Sequence, residues 1–139
     1  MYVIIIGCGR VGARLATMLV NAGHDVMVLD LSPTSFDRLG SEFAGQTMVG
    51  NGIDLDVLIR AGIERAQAFA AVTQGDNRNI MAAQIAKHIY NVPNVVTRIY
   101  DPMRQDTFKA LGLDAISPTV IGAQVFYSML TGEESRENV

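Results

Sequence analysis

At 139 residues the chain fits a single domain with a substantial core. Its composition, 49% hydrophobic and 18% charged, excludes a disordered segment. A net charge of -3 argues against an electrostatic nucleic-acid binder, and no apolar run approaches the ~18 residues needed to span a bilayer.

The first element is an apolar run, Tyr2–Ile6, which reads as a buried strand. It is too short for a signal-peptide core and has no basic leader. With Cys8 the only cysteine, no internal disulfide can form, and the expected compartment is a reducing cytoplasm. A helical pattern follows over Val11–Asn21, with Gly23 at its end, then a strand at Asp25–Leu29. Ser32 before Pro33 predicts a helix start and a helix over Pro33–Phe43. Strands are expected at Thr47–Val49, Phe69–Thr73 and Val95–Ile99, with a weaker one at Asp114–Ile116. Helices are expected over Asp54–Arg60, Asp76–Tyr90, Pro102–Leu111 and Pro118–Leu130. The last residues, Thr131–Val139, are polar and are expected to fray. No internal repeat or low-complexity segment occurs.

Strict strand–helix alternation predicts an α/β fold: a Rossmann-type, doubly wound parallel sheet with helices on both faces. Runs such as Val3–Ile6 show no polar alternation, as expected when both faces of a strand are covered. A ligand is then expected at the carboxyl ends of the strands, where the strand order reverses.

The first strand leads directly into Gly7-Cys8-Gly9-Arg10-Val11-Gly12. Here Gly7 makes the tight turn, Gly9 admits a phosphate close to the backbone, and Gly12 lets the helix pack on the strand. The free N–H groups and the positive end of the helix dipole suit an anion. Asp30, eighteen residues past Gly12, stands at the end of the second strand, where a carboxylate accepts hydrogen bonds from ribose hydroxyls and repels a 2′-phosphate. The alternative is that Asp30 merely ends a strand before the cap Ser32. Arg10 places a cation where the helix dipole disfavours it, and a bound polyphosphate reverses that penalty; a solvated arginine is the plainer reading. Cys8 reads as a small loop side chain or a thiol activated by the helix N-terminus. His24 and His88 read as surface residues. Further along, Asn51 between two glycines reads as a turn residue, Asp76 as a helix cap, and Arg98 as a residue of the strand-end rim.

Taken in order, these motifs resemble the N-terminal domain of regulators of potassium conductance, the RCK or KTN (TrkA-N) domains of Trk and Ktr potassium-uptake systems and of ligand-gated potassium channels. The matching pieces are Gly7–Gly12, Gly23-His24-Asp25-Val26 leading to Leu29-Asp30, and Val49-Gly50-Asn51-Gly52-Ile53-Asp54. They continue through Leu58, Gly62-Ile63, Ala71–Asn79, Val96–Ile99, Leu111–Asp114 and Ile116-Ser117-Pro118, covering roughly residues 1–130. Such domains bind NAD(H) or an adenine nucleotide (ATP, ADP or AMP) without turning it over. They form homodimers that assemble into larger rings on a membrane potassium channel or transporter subunit, at the cytoplasmic face and with no insertion into the bilayer.

The resemblance implies that Gly7, Cys8, Gly9, Arg10, Val11 and Gly12 hold phosphates, and that Asp30 and Leu31 hold the ribose side. Asn51 and Gly52 then lie beside the adenosine, Thr73, Gln74 and Gly75 line the crevice, and Arg98 reaches the nucleotide. Arg10 resembles the ATP- or ADP-binding Ktr-type members. Thr119 stands where some of those carry a glutamate, so no metal-assisted contact is expected. Members usually continue into a C-terminal ligand-binding domain, which does not fit within this length.

Two other function classes compete. One is the cofactor half of an NAD-dependent dehydrogenase, which needs a second domain and an acid–base pair near the nicotinamide; no catalytic constellation stands out. The other is a redox-sensing repressor, for which no basic recognition helix is found. The expected reading is therefore a nucleotide-sensing domain and not an enzyme. Residues 118–130 carry Val120, Ile121, Val125, Phe126, Tyr127, Met129 and Leu130, more apolar surface than one stripe, and are expected to cross to a second copy. The alternative is that this helix folds back on its own sheet.

Overall fold

Each apolar run becomes a parallel strand, and each intervening amphipathic stretch turns back over the sheet. The computed structural model describes residues 1–134. It contains β1 (Tyr2–Ile6), α1 (Arg10–Asn21), β2 (Asp25–Asp30), β3 (Gln46–Val49), α2 (Leu55–Arg60), β4 (Ala68–Ala71), α3 (Asp76–Gln84), β5 (Asn94–Arg98), α4 (Gln105–Ala110), β6 (Asp114–Ile116) and α5 (Pro118–Thr131). The six strands form one sheet in the order β3-β2-β1-β4-β5-β6, every pairing parallel. This is the doubly wound order expected, and it reverses between β1 and β4.

The central strands β1, β2 and β4 are buried from both sides, which explains their unbroken apolar runs, whereas β5 alternates buried and exposed positions and leaves Val96 in the open. Ile4, Ile6, Leu29 and Phe69 pack into one cluster with Leu58 and Ile63. Val3, Ile5, Val28 and Ala70 pack into the other, under Ala13 and Ala16 of α1. Gly23 and Gly112, expected at helix ends, have φ of +91° and +72° there.

Several elements depart from expectation. The helix predicted over Pro33–Phe43 is a 3-10 helix over Pro33–Leu39. Gly40 ends it at φ +82°, and Phe36 and Leu39 are only half-buried where they pack against the core. The helix predicted over Asp76–Tyr90 changes at Ile85 into a π-helical turn, Ile85–Ile89, and Asn91 in the left-handed region (φ +52°) closes it. That turn places Lys87 Nζ to donate to Gly112 O and His88 Nε2 3.3 Å from Leu111 O, tying α3 to the end of α4. Pro102–Leu111 begins as a 3-10 turn, Pro102–Arg104, capped by Asp101, before α4 proper. A further 3-10 turn, Ile63–Arg65, precedes β4. The fourth strand stops at Ala71, two residues before the expected Thr73, because a side chain of α3 captures Thr73.

Ser117 caps α5, its Oγ accepting from Val120 N–H at 3.3 Å, and Gly132 (φ +72°) ends it. No residue of this helix is buried, so it does not fold back onto the sheet. Thr131, read as tail, is its last residue. The remainder of the predicted polar tail, 135–139, lies outside the described residues.

Candidate functional site

A crevice of about 650 Å³ opens over the carboxyl ends of the strands, at the point where their order reverses. Its floor is the turn from β1 to α1. Gly7 turns at φ +106°, and its N–H donates to Leu29 O at 2.7 Å, so the turn is locked to the end of β2. A Cβ at Gly7 would stand 2.9 Å from both Thr73 N and Val72 O, and one at Gly12 only 1.8 Å from Gly7 O. Both positions therefore demand glycine for close approach. A Cβ at Gly9 meets nothing within 4 Å, which leaves that side open to a ligand. Gly9 begins α1 without a capping side chain and no acid stands in the first turn. The first N–H groups of the helix, with its dipole, therefore face the crevice free to bind an anion.

Asp30 closes the β2 side. Its Oδ2 accepts from Cys8 N–H at 2.7 Å and its Oδ1 from Ser32 N–H at 2.8 Å. The carboxylate thus holds the glycine loop as well as lining the crevice, and each oxygen keeps a lone pair for a ligand hydroxyl. Arg38 crosses from the 3-10 helix to within 3.4 Å of Cys8 O. Cys8 itself is fully buried; burial pushes its thiol pKa up, the Asp30 carboxylate adds to this, and Arg38 opposes it. The activated-thiol alternative is therefore wrong: a buried thiol beside a carboxylate is not a ready nucleophile.

Of the predicted site residues, Gly7, Gly9, Arg10, Val11, Asp30, Leu31, Gly52, Thr73, Gln74 and Arg98 line the crevice together. Cys8 and Gly12 shape it from behind. Asn51 does not face it: its Oδ1 accepts from Ile53 N–H at 3.2 Å in a local turn, while Gly52 packs so near Ile6 that a Cβ would lie 2.3 Å from Ile6 Cγ2. Gly75 stands behind as the residue before α3, its N–H bonded to Thr73 Oγ1 at 3.2 Å. Asp76 does not cap α3. Its carboxylate accepts from Tyr100 N–H at 2.7 Å and Asp101 N–H at 3.1 Å, across to the segment after β5.

The sequence reading missed Ser35, Arg38, Arg78 and Tyr100, which also line the crevice. Arg78 was detectable: like Arg10 it is a cation in the first turn of a helix, and the same dipole argument applies to it. Four arginines, Arg10, Arg38, Arg78 and Arg98, thus line the same crevice as one carboxylate, Asp30, in a protein of net charge -3. That concentration of positive charge suits a ligand with several negative charges. The guanidinium of Arg98 lies over the Tyr100 ring at 4.3 Å, and its Nε is buried without a hydrogen-bond partner. Among the described residues no group of three or more His, Cys, Asp or Glu side chains could hold a metal.

The model of the TrkA-N domain family matches residues 3–118. The chain belongs to that family. The Trk system potassium uptake protein TrkA of Streptomyces coelicolor is 51% identical over 117 residues, which is 84% of this chain and 52% of that protein. The chain spans about half the length of the curated relatives it matches. Two solved structures show the same fold at low identity. The Kef C-terminal domain of Shewanella denitrificans, in its AMP-bound form, has a TM-score of 0.78 at 22% identity, covering 96% of this chain and 83% of that one. The GsuK channel bound to NAD has a TM-score of 0.80 at 24% identity, covering 93% of this chain and 23% of that one. As a TrkA-N domain, the chain places its family glycines, Gly7, Gly9 and Gly12, at the floor of the crevice, at its edge and behind it respectively.

Proposed function

We propose that this chain is the nucleotide-sensing regulatory domain of a potassium channel or transporter, and that it binds NAD(H) or an adenine nucleotide in the crevice at the carboxyl ends of β1, β2 and β4. The observation that carries the reading is the pairing of a bare helix N-terminus and four arginines with Asp30 on one crevice: phosphates on one side, ribose hydroxyls on the other. AMP and NAD in the two structural neighbours agree with it, and the TrkA relatives supply potassium uptake as the process. Gly7, Gly9, Arg10 and Val11 hold phosphate, Asp30 and Leu31 the ribose, Gly52 the adenosine, and Thr73, Gln74 and Arg98 the far wall.

The domain acts as a homodimer through α5. Phe126, Met129 and Leu130 are 69%, 78% and 85% exposed, an apolar surface that a second copy covers. Dimers build a ring on the cytoplasmic face of the membrane partner. No helix among the described residues is long and apolar enough to cross a membrane. Native mass spectrometry of gently purified protein tests both parts at once. It should show a dimer or a multiple of it carrying an adenine nucleotide. Protein that neither retains nor takes up NAD, ADP, ATP or AMP contradicts the reading.

A further inference from the structure

Asn79 is a polar side chain at 0% exposure, placed where an unsatisfied amide is costly. Its amide makes two hydrogen bonds at each end. Its Oδ1 accepts from Thr73 N–H at 2.9 Å and Thr73 Oγ1–H at 2.6 Å. Its Nδ2 donates to Thr73 O at 3.0 Å and Arg98 O at 3.2 Å. The β4–β5 ladder ends at the pair Ala71 and Thr97. Beyond it, where parallel strands are free to splay, this one side chain joins the two backbones. Asp76 lies three residues earlier, on the same side of α3. Its carboxylate fixes Tyr100 and Asp101 by their N–H groups. The segments held this way carry Thr73, Gln74, Arg98 and Tyr100, which form the far wall of the crevice. Arg98 in turn rests on the Tyr100 ring.

We infer that Asn79, assisted by Asp76, is a positioning residue for the ligand: it sets the gap between the ends of β4 and β5 and thereby the reach of the Arg98 guanidinium toward a ligand phosphate. Neither side chain lines the crevice, so neither touches the ligand. This inference rests on the nucleotide reading of the site and adds to it the device that holds one wall in register.

A double-mutant cycle tests it, with ADP titrated into wild type, Asn79→Asp, Arg98→Ala and the double variant. Asn79→Asp keeps an acceptor for Thr73 but turns a second oxygen on the carbonyls of Thr73 and Arg98. Each single change should weaken ADP roughly tenfold, the scale of a lost charge-assisted contact. The double variant should be no more than about twofold weaker than Arg98→Ala, because both losses run through one guanidinium. A purely structural role gives multiplied losses, roughly a hundredfold in the double variant. If Asn79→Asp fails to fold by circular dichroism, Asp76→Ala replaces it in the same cycle, with the same non-additivity expected. Multiplied losses, or undiminished ADP binding by a folded variant, overturn the positioning role alone. Wild-type protein that binds neither ADP nor NAD overturns the nucleotide reading and the positioning role with it.

Discussion

Replacing Gly12 by alanine separates the structural glycine of the loop from the ligand-facing one. A Cβ at residue 12 would sit 1.8 Å from Gly7 O and 2.9 Å from Gly7 C. Ordinary carbon contacts lie near 3.5 Å, so about 1.5 Å of relief is needed. Gly7 cannot supply it: it is bound to Leu29 O and hemmed by Val72 and Thr73 backbone on its other side. Overpacking against such a wall costs about 3 kcal/mol, of which helix propensity returns about 1 kcal/mol. The net loss of about 2 kcal/mol should lower Tm by roughly 5–10 °C for a domain of this size. Gly9→Ala provides the contrast, since its Cβ meets nothing within 4 Å and its φ of -81° suits any residue. It should leave Tm within ~2 °C of wild type, as surface changes do, while weakening ADP binding by crowding the phosphate. Thermal unfolding followed by circular dichroism, with ADP titration by calorimetry, measures both. A Gly12→Ala protein as stable as wild type, or a Gly9→Ala protein equally damaged, would refute the packing argument.

Asp30→Ala should weaken NAD or ADP binding by roughly 1–3 kcal/mol, and it also releases the Cys8 and Ser32 N–H groups, so stability falls by about 1 kcal/mol. Wild type should bind NAD more tightly than NADP in calorimetry; equal or tighter NADP binding sinks the assignment of Asp30. Phe126→Asp should shift the protein to monomer in analytical ultracentrifugation with its circular dichroism unchanged, and a wild type that is monomeric at high micromolar concentration removes the α5 interface. Cys8 should resist a disulfide reagent at pH 8 in the native protein and react at once in urea. Its pKa is raised above the ordinary 9.0 by burial first and by Asp30 second. The thiol therefore contributes stability that is fully present below the unfolded pKa and is lost as pH rises through the folded one. Rapid native labelling at neutral pH contradicts this.

Much of the fold was legible because its signals are local. Val3–Ile6 is apolar at every position because both its faces are covered, and that absence of alternation distinguishes a central parallel strand. The glycine loop and Asp30 were legible for the same reason: a tight turn, a close helix approach and a strand-end acid each require one residue type at one place. Element ends were less legible. The 3-10 helix after β2 stops where Gly40 turns to positive φ, and the sequence between Pro33 and Phe43 carries helix formers on either side of it. Asp76 misled for a clear reason. An acid at a helix start looks like a cap, and only the chain 24 residues later reveals its partners.

By itself, then, the sequence determined the strand order class, the phosphate loop and the acid opposite it, because these depend on backbone geometry and burial over a few residues. It also determined that α5 is apolar beyond one stripe. Only the tertiary structure decided which charges meet. Arg38 follows β2, Arg78 follows β4 and Arg98 ends β5; family resemblance pointed to Arg98, but nothing in the neighbourhood of Arg38 says that it shares a crevice with Arg10. They converge because the sheet reverses its order between β1 and β4, which brings distant strand ends side by side. The α3 crossover between the neighbouring parallel strands β4 and β5 sets Asn79 between Thr73 and Arg98, a contact whose partners lie 6 and 19 residues away. Long-range hydrogen bonds of that kind leave no period or motif in the chain, since the spacing is set by the sheet and not by the residues between.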